Sequence, residues 1–310
     1  MRVSFVIVTY NSENTIIPCI ESILSQEDIG SYEIIVVDNA SSDRTMSRLR
    51  PYRHFIKVIE MEYNSGFACG NNAGLRCAKG EYAVLVNPDA VLFEDSTKHL
   101  LKTFDVKDNV GIVGGQIIDA EQTIRPFPRL SNLWSYLNGK FKSYNEYKHI
   151  EEIDWICGAY CAFNLNDIKK IGYFDERFFL YYEETDLCLR LKNIGKKNYI
   201  NHLCKLKHIG GGSDVEKTHK YEDKEKMISE FKYISKLLYF KKNEGFFKTI
   251  LMTLFEISAY SAVVLKKLFS KKESDKNRVA YSKKQIKSLL YAISVSKFGF
   301  YSPKAPWRVL

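Results

Sequence analysis

The chain has 310 residues, of which 45% are hydrophobic and 27% charged, enough apolar material for a sizeable core and too much for a disordered or fibrous chain. Its formal net charge of +9 is unevenly spread: residues 1–215 carry 25 Lys and Arg against 28 Asp and Glu, a net of −3, and residues 216–310 carry 21 against 9, a net of +12. The seven cysteines (Cys19, Cys69, Cys77, Cys157, Cys161, Cys188, Cys204) form an odd set without a CxxC pair, which excludes a disulfide framework or zinc knuckle and predicts reduced thiols in a cytosolic protein.

The opening MRVSFVIVTYNS turns polar after a few apolar residues and has no small-residue cleavage site, so it reads as a first strand rather than a secretory leader. The continuous β-branched run Val3 to Val8 predicts a strand covered on both faces, followed by a helix over Thr15 to Leu24. Further strands are predicted at Glu33–Val37, Lys57–Met61 and Tyr82–Val86, each ending in a cluster of Asn, Asp, Ser or Gly. In an open α/β sheet the carboxyl edge of the strands is where ligands bind. Val110–Ile118, Asp154–Asn164 and Asn198–Lys207 read as later strands, Arg125–Tyr147 as a mobile loop near an acceptor, and Phe174–Asn193 as a loop running into a helix. From Val215 onward the pattern is mostly helical, and the charge shift sets a boundary near Ser213: residues 1–213 as the α/β part, 214–310 as a helical basic region.

Three constellations carry chemistry. Asp38 and Asp89 sit at strand ends, where one carboxylate can receive donors from a base or ribose and the other can grip a metal carrying a diphosphate, since Mg²⁺ or Mn²⁺ in phosphate sites takes only one or two protein carboxylates. Asn87-Pro88-Asp89 alone is also an ordinary turn, and Asp38 alone a helix cap. Glu183-Glu184-Thr185-Asp186, followed by Arg190, packs three carboxylates into four residues; their repulsion would raise one pKa towards that of a general base. Asp186 and Arg190 are spaced to pair on one helix face, leaving Glu183 and Glu184 for the reactive role, although a solvated acidic helix start has the same sequence. His208 before Gly210-Gly211-Gly212 offers an imidazole beside a backbone that can approach a phosphate, or a packed histidine before a linker.

In this order, FVIVTYNS, VVDNASSD, NSGFACGNNAG, LVNPDA, WICGA, FFLYYEETDLCLR and HIGGGS resemble the family 2 glycosyltransferases, specifically their rhamnosyltransferase-like branch, from Val3 to about Ser213. The resemblance implies a GT-A fold, a Rossmann-like nucleotide-binding sheet continuous with an acceptor-binding part, and an inverting glycosyltransferase that acts in cell-surface polysaccharide synthesis. It implies a nucleotide-diphosphate sugar donor, dTDP-L-rhamnose or a UDP-sugar, and a glycan or lipid-linked acceptor. Thr9, Asn11 and Asp38 match positions that contact the nucleoside, and Asn64, Gly66, Phe67 and Asn71 lie on the donor side. Asp89 matches the metal-holding aspartate for a divalent cation (Mg²⁺ or Mn²⁺), with Asn87 where many members have a first aspartate, and His208 matches a second metal ligand of some members. Glu184 occupies the general-base position, commonly an aspartate in the family, with Glu183 and then Asp186 as substitutes.

Two rival classes lack their signatures. A nucleotidyltransferase needs a glycine-rich loop with Arg and Lys soon after the first strand, which Thr9 to Ser22 lacks, and a dinucleotide oxidoreductase needs GxGxxG, which the spacing of Gly66, Gly70, Gly74 and Gly80 does not provide. Only the basic tail points to a nucleic-acid binder, and no nucleic acid is expected as a partner. In that tail Phe246 to Phe269 is strongly apolar but interrupted by Lys248 and Glu256, which disfavours a transmembrane span. Lysines 241, 242, 266, 267, 271 and 272 flank it, giving either an amphipathic helix at an anionic membrane surface or a helix packed on the protein's own core. The expected location is cytoplasmic, peripheral on the inner face of the cell membrane.

Overall fold

A computed structural model of the chain describes residues 1–118, 149–208, 220–268, 270 and 272–302, with the backbone alone for 220–228. The expected acceptor loop at 125–147, the glycines of HIGGGS, the boundary near Ser213, Lys271 and Phe269 lie outside the described residues.

β1 (Val3–Thr9) has parallel neighbours on both sides, β2 (Tyr32–Asp38) and β4 (Tyr82–Val86), and β3 (Ile56–Glu60) extends the sheet beyond β2. Helices lie against both faces, which is why these strands are continuous apolar runs without alternation. Past β4 the sheet becomes mixed. β8 (Tyr160–Asn164) runs antiparallel to β4 and to β6 (Val110–Ile118), β9 (Lys197–His208) runs parallel to β6, and β5 (Ala90–Leu92) and β7 (Ile150–Glu152) pair antiparallel with β9. The order is β3-β2-β1-β4-β8-β6-β9-β5.

α1 (Ile16–Leu24), α2 (Thr45–Leu49), α3 (Gly66–Cys77), α4 (Ser96–Val106), α5 (Leu165–Lys170) and α6 (Glu183–Asn193) complete the α/β part. One apolar cluster joins α1 and α4 to a sheet face through Ile20, Ile23, Val36 and Leu100, and another joins α3 and α6 to the opposite face through Leu75, Ile35, Leu187 and Leu191. All seven cysteines are free, four of them buried.

Two elements differ from the sequence-based expectation. The strand expected over Asp154–Asn164 begins only at Tyr160, because the preceding residues form a loop whose Gly158 N–H points at a side chain instead of a ladder partner. The glycine-rich stretch after β3 is helix α3, whose small residues lie against the sheet and an adjoining loop.

The helical region consists of α7 (Lys220–Glu244), α8 (Phe246–Lys267) and α9 (Glu273–Ser296). Its cluster of Leu237, Phe240, Met252 and Leu289 includes Phe178 and packs against Tyr182 and Leu189, residues of the segment that enters α6 and of α6 itself. The structure gives the orientation of α8, which the sequence left open. Thr249, Thr253 and Glu256 face inward and are buried, with Glu256 Oε1 2.6 Å from Nζ of the equally buried Lys236. By length and composition α8 is able to cross a membrane, so Lys248 and Glu256 do not exclude a span on composition alone. The side of the helix that packs on the protein is mixed, with Met252 and Ile257 in the apolar cluster beside Thr249, Thr253 and Glu256.

Candidate active site

The carboxyl ends of β1, β2 and β4 open onto a cavity of about 330 Å³. Thr9 and Asp38 are opposite one another in the parallel ladder. Both are buried, and Thr9 Oγ1 and Asp38 Oδ1 have no hydrogen-bond partner, whereas Asp38 Oδ2 accepts from Ser41 N–H at 3.0 Å. These are unfilled polar positions behind the cavity wall. Asn11, in the left-handed region with φ 50°, lines the cavity while its Oδ1 accepts from Ser42 N–H at 2.8 Å, so the loops after β1 and β2 brace each other.

The start of α3 forms the facing wall. Asn64 Oδ1 accepts from Gly66 N–H at 3.0 Å, and Phe67 N–H donates to Phe179 O at 2.7 Å. Gly66 has φ +84°, and a Cβ there would stand 2.4 Å from Phe179 O, so both the turn and the close approach require glycine. Asn64, Gly66 and Phe67 line the cavity; Asn71 is buried in α3 with its amide donating to Phe67 O. Sequence reasoning missed Asn39, whose Nδ2 donates to Gly66 O at 3.0 Å and whose Oδ1 accepts from Ser65 Oγ at 3.0 Å. It also missed Asn72, which holds both backbone polar groups of Phe174. Buried asparagines bonded to backbone carry no signal that separates them from polar loop residues.

Asn87-Pro88-Asp89 is a tight turn, closed by Ala90 N–H donating to Asn87 O and tied to β8 by Asn87 N–H donating to Ala159 O. Beneath it Cys19 Sγ–H donates to Asn87 O, and burial, with the Asp89 charge adding to it, pushes the thiol pKa up. Ladder pairing of Ala90 with His208 sets Asp89 beside the imidazole. Nε2 is 3.2 Å from Asp89 Oδ1, yet among the described residues neither ring nitrogen of His208, both buried, makes a hydrogen bond. A carboxylate and an imidazole with unused lone pairs suit a divalent cation whose other positions are filled by phosphate oxygens and water. Among the described residues no group of three or more His, Cys, Asp or Glu can hold a metal ion, so a cation held here would depend on the diphosphate for further ligands.

The acidic motif lies on the other side of Phe67. Tyr181 and Tyr182 both take left-handed φ values, 71° and 67°, and turn the chain sharply into α6, placing Glu183 and Glu184 in its first turn. Glu184 Oε1 accepts from Gly158 N–H at 3.1 Å. A Cβ at Gly158 would lie 2.6 Å from that oxygen and 2.9 Å from Phe67 Cζ, so the WICGA glycine gives the carboxylate its room beside the cavity. Burial raises the pKa of Glu184 against the hydrogen bonds that favour its charged form. Glu183 is fully enclosed, its Oε2 is unpartnered, and burial followed by repulsion from Glu184 holds its pKa well above the usual carboxylate range. Burial thus disfavours the charged form of both carboxyls, and more so at Glu183, where repulsion from Glu184 adds to it.

Asp186 pairs with Arg190 as the spacing predicts, Oδ2 accepting from Nε at 2.7 Å. Its Oδ1 is 2.6 Å from Lys242 Nζ on α7, so both oxygens are occupied by cations and neither faces the cavity. Lys242 also bonds Asp175 at 2.8 Å, and Ser235 Oγ donates to Leu180 O. These contacts brace the loop and helix that carry Glu183 and Glu184, and they escaped sequence reasoning because they cross from the helical region into the α/β part.

Residues 4–171 match the family described as Glycosyl transferase family 2. The chain is 28% identical over 186 residues to poly-beta-1,6-N-acetyl-D-glucosamine synthase of Staphylococcus epidermidis, a match that covers 56% of this chain and 42% of that one, so it spans less than half of that relative's length. It is 25% identical over 253 residues to the rhamnosyltransferase WbbL of Escherichia coli, covering 76% and 93% of the two chains. Among solved structures it resembles the mannosyltransferase PcManGT of Pyrobaculum calidifontis in complex with GDP-Man and Mn²⁺, with a TM-score of 0.60 and 16% identity over 98% of this chain and 88% of that one. The fold is that of the GT-A glycosyltransferases with an added helical region.

Proposed function

The chain belongs to glycosyl transferase family 2, and from that membership we propose that it transfers a sugar with inversion from a nucleotide-diphosphate donor to a hydroxyl of a glycan or lipid-linked acceptor in cell-surface polysaccharide synthesis. The observation that carries the mechanism is the Asp89–His208 pair, 3.2 Å apart with no hydrogen bond from the imidazole among the described residues, at the strand-end cavity.

In this reading the nucleoside occupies the end of the cavity bounded by Asn11, Asn64 and the loops after β1 and β2, where Thr9 and Asp38 offer unfilled polar atoms. The diphosphate extends towards Asp89 and His208, which would hold a divalent cation; when bound, such a cation supplies a Lewis acid that offsets the charge growing on the leaving group. Glu184 takes the proton of the acceptor hydroxyl, an effect typically worth on the order of a hundred- to ten-thousand-fold in rate. Glu183 remains neutral beside it, so the pair never carries two adjacent charges. With Asp186 engaged by Arg190 and Lys242, Asp38 given to the nucleoside and Asp89 to the cation, Glu184 is the carboxylate left to the acceptor, and the proposed reaction is direct displacement with inversion.

L-rhamnose carried on dTDP is the favoured donor, supported by the likeness to WbbL, with UDP-hexoses as the competing set. The +12 charge of residues 216–310 supports a peripheral position on the inner face of the cell membrane, where a lipid-linked acceptor would be presented. The test is a panel of nucleotide sugars assayed for binding and slow hydrolysis with and without Mn²⁺, on the wild type and Asp89→Ala. The wild type should bind one donor tightly only with the metal, and Asp89→Ala should lose that dependence while melting as the wild type does. Equal affinity with and without Mn²⁺ in both proteins would remove the metal site, and the absence of any donor would remove the transferase reading.

A further inference from the structure

The helical region buries an apolar cluster around Leu237, Phe240, Met252 and Leu289, yet α8 also turns a large apolar face outward. Between its helices lie Ser235, Lys236, Thr249, Thr253, Glu256, Ser282, Gln285 and Ser288, all buried. Outward from α8 point Phe247, Leu251, Leu254, Phe255 and Leu265, with relative exposures of 80%, 60%, 56%, 49% and 72%. Ser258, Ala259 and Ala262 fill the same exposed stripe, so between Lys248 and Lys266 it contains no charge over about 27 Å of helix at the usual rise per residue. A contiguous apolar face of this kind on a soluble domain marks a surface that something covers.

We propose that this face of α8 docks in the plane of an anionic phospholipid bilayer, with Phe247, Leu251, Leu254, Phe255 and Leu265 entering the acyl boundary and the lysines at its two ends among the headgroups. The proposal deepens the peripheral-membrane part of the reading above and rests on it, but does not depend on the identity of the donor. Charge selects the occupant. Exposed Lys248, paired with Glu244, closes one end of the stripe and Lys266 the other, with Lys272 and the Glu273-paired Lys276 just beyond, and the +12 net charge of residues 216–310 makes the region complementary to anionic lipid. A second copy docking across a two-fold axis would set lysine-rich ends against each other or against an uncharged stripe, and nucleic acid has nothing to gain from an apolar face.

The same packing decides against a span. Crossing the bilayer as a single helix would draw Glu256 away from Lys236, leaving one charge in hydrocarbon and the other buried alone. Lying in the plane keeps that pair intact, and α8 stays attached to α7, whose Lys242 and Ser235 hold the segment bearing Glu184. Docking α8 would therefore fix the orientation of the catalytic cavity to the membrane.

The experiment is flotation of the full-length protein with vesicles of phosphatidylglycerol and phosphatidylethanolamine, against pure phosphatidylcholine, for the wild type and Leu251→Ser/Leu254→Ser/Phe255→Ser. The wild type should float with the anionic vesicles only, less so as salt rises, and the triple variant should partition about a hundredfold more weakly while keeping its melting temperature and its hydrolysis of soluble donor. In Leu254→Trp the emission should shift to the blue on vesicle addition and be quenched by lipids brominated on the acyl chain. Absence of flotation by the wild type, equal flotation by the triple variant, or resistance to extraction by alkaline carbonate would each overturn the proposal, as would a dimer in solution that the triple variant dissolves. Loss of donor hydrolysis by the wild type would instead count against the transferase reading while leaving the flotation result intact.

Discussion

The strands β1 to β4 and the helices α7 to α9 both bury apolar side chains, but they differ in what else they bury and in what they leave outside. In the first region Val3, Phe5, Val6, Ile7, Ile35 and Val37 are at or near zero exposure, and the polar residues collect at the strand ends where the cavity opens. In the second, Thr249, Thr253, Glu256 and Gln285 are buried beside the cluster of Leu237, Phe240, Met252 and Leu289, while large apolar side chains of α8 point away from the protein. The hydrophobic effect acts in both, but only the first region is arranged for water on every side that it does not cover itself. The lesson is that apolar pattern locates the protein's inside only once the surrounding medium is known.

The comparison can be broken most sharply at the seam where the two regions meet the base. Glu184→Gln keeps the shape and the Gly158 contact but cannot take a proton. Turnover should fall by about a hundred- to ten-thousand-fold with donor affinity unchanged. Because burial raises the Glu184 pKa, the wild-type rate should climb as pH rises through that elevated value and ionises the base, and this limb should be missing from the variant. Near-normal turnover in Glu184→Gln, with loss in Glu183→Gln, would move the base one residue back.

Next in size is the core of the α/β region. Ile35→Ala should cost about 2–5 kcal/mol in urea unfolding, because Ile35 is fully buried between β1 and β3 and the site cannot collapse freely. A smaller effect is expected at the seam itself. Lys242→Ala leaves Asp186 Oδ1 with only a long contact from Asn243 and should lower stability by about 1–3 kcal/mol. Lys242 acts as a positioning residue, so kcat should fall while donor affinity holds, and an unchanged kcat would show that α7 does not support the base. Smallest of all, Leu265→Ser on the outward face should alter stability by less than about 0.5 kcal/mol in water. A cost like that of Ile35→Ala would mean that this face is buried after all, and the contrast between the regions would fail.

Much of the placement of the candidate site residues was legible because they close individual strands. Asp38 and Asp89 each follow an apolar run, so their place at one sheet edge follows from local pattern, and the Asp186–Arg190 pair follows from helical spacing. Less legible was the supporting layer. Asn39, Asn72, Gly158 and Lys242 act on partners 26 to 102 positions away or across regions, and nothing in their neighbourhoods distinguishes them from loop or surface residues. The strand expected from Asp154 failed at its first half for the same reason, since Gly158 spends its N–H on Glu184.

The sequence by itself determined the sheet, the order of its motifs, the cavity at the carboxyl edge and the uneven charge, because periodicity, turn residues and composition act over short stretches of chain. Only the tertiary structure decided which of three neighbouring carboxylates is most deeply enclosed, which is tied up by cations, and which side of α8 faces out. Each of those depends on what a side chain meets across the fold: Glu183 meets no solvent, Asp186 meets Lys242, and Glu256 meets Lys236, which turns that side of α8 inward and leaves an apolar side exposed.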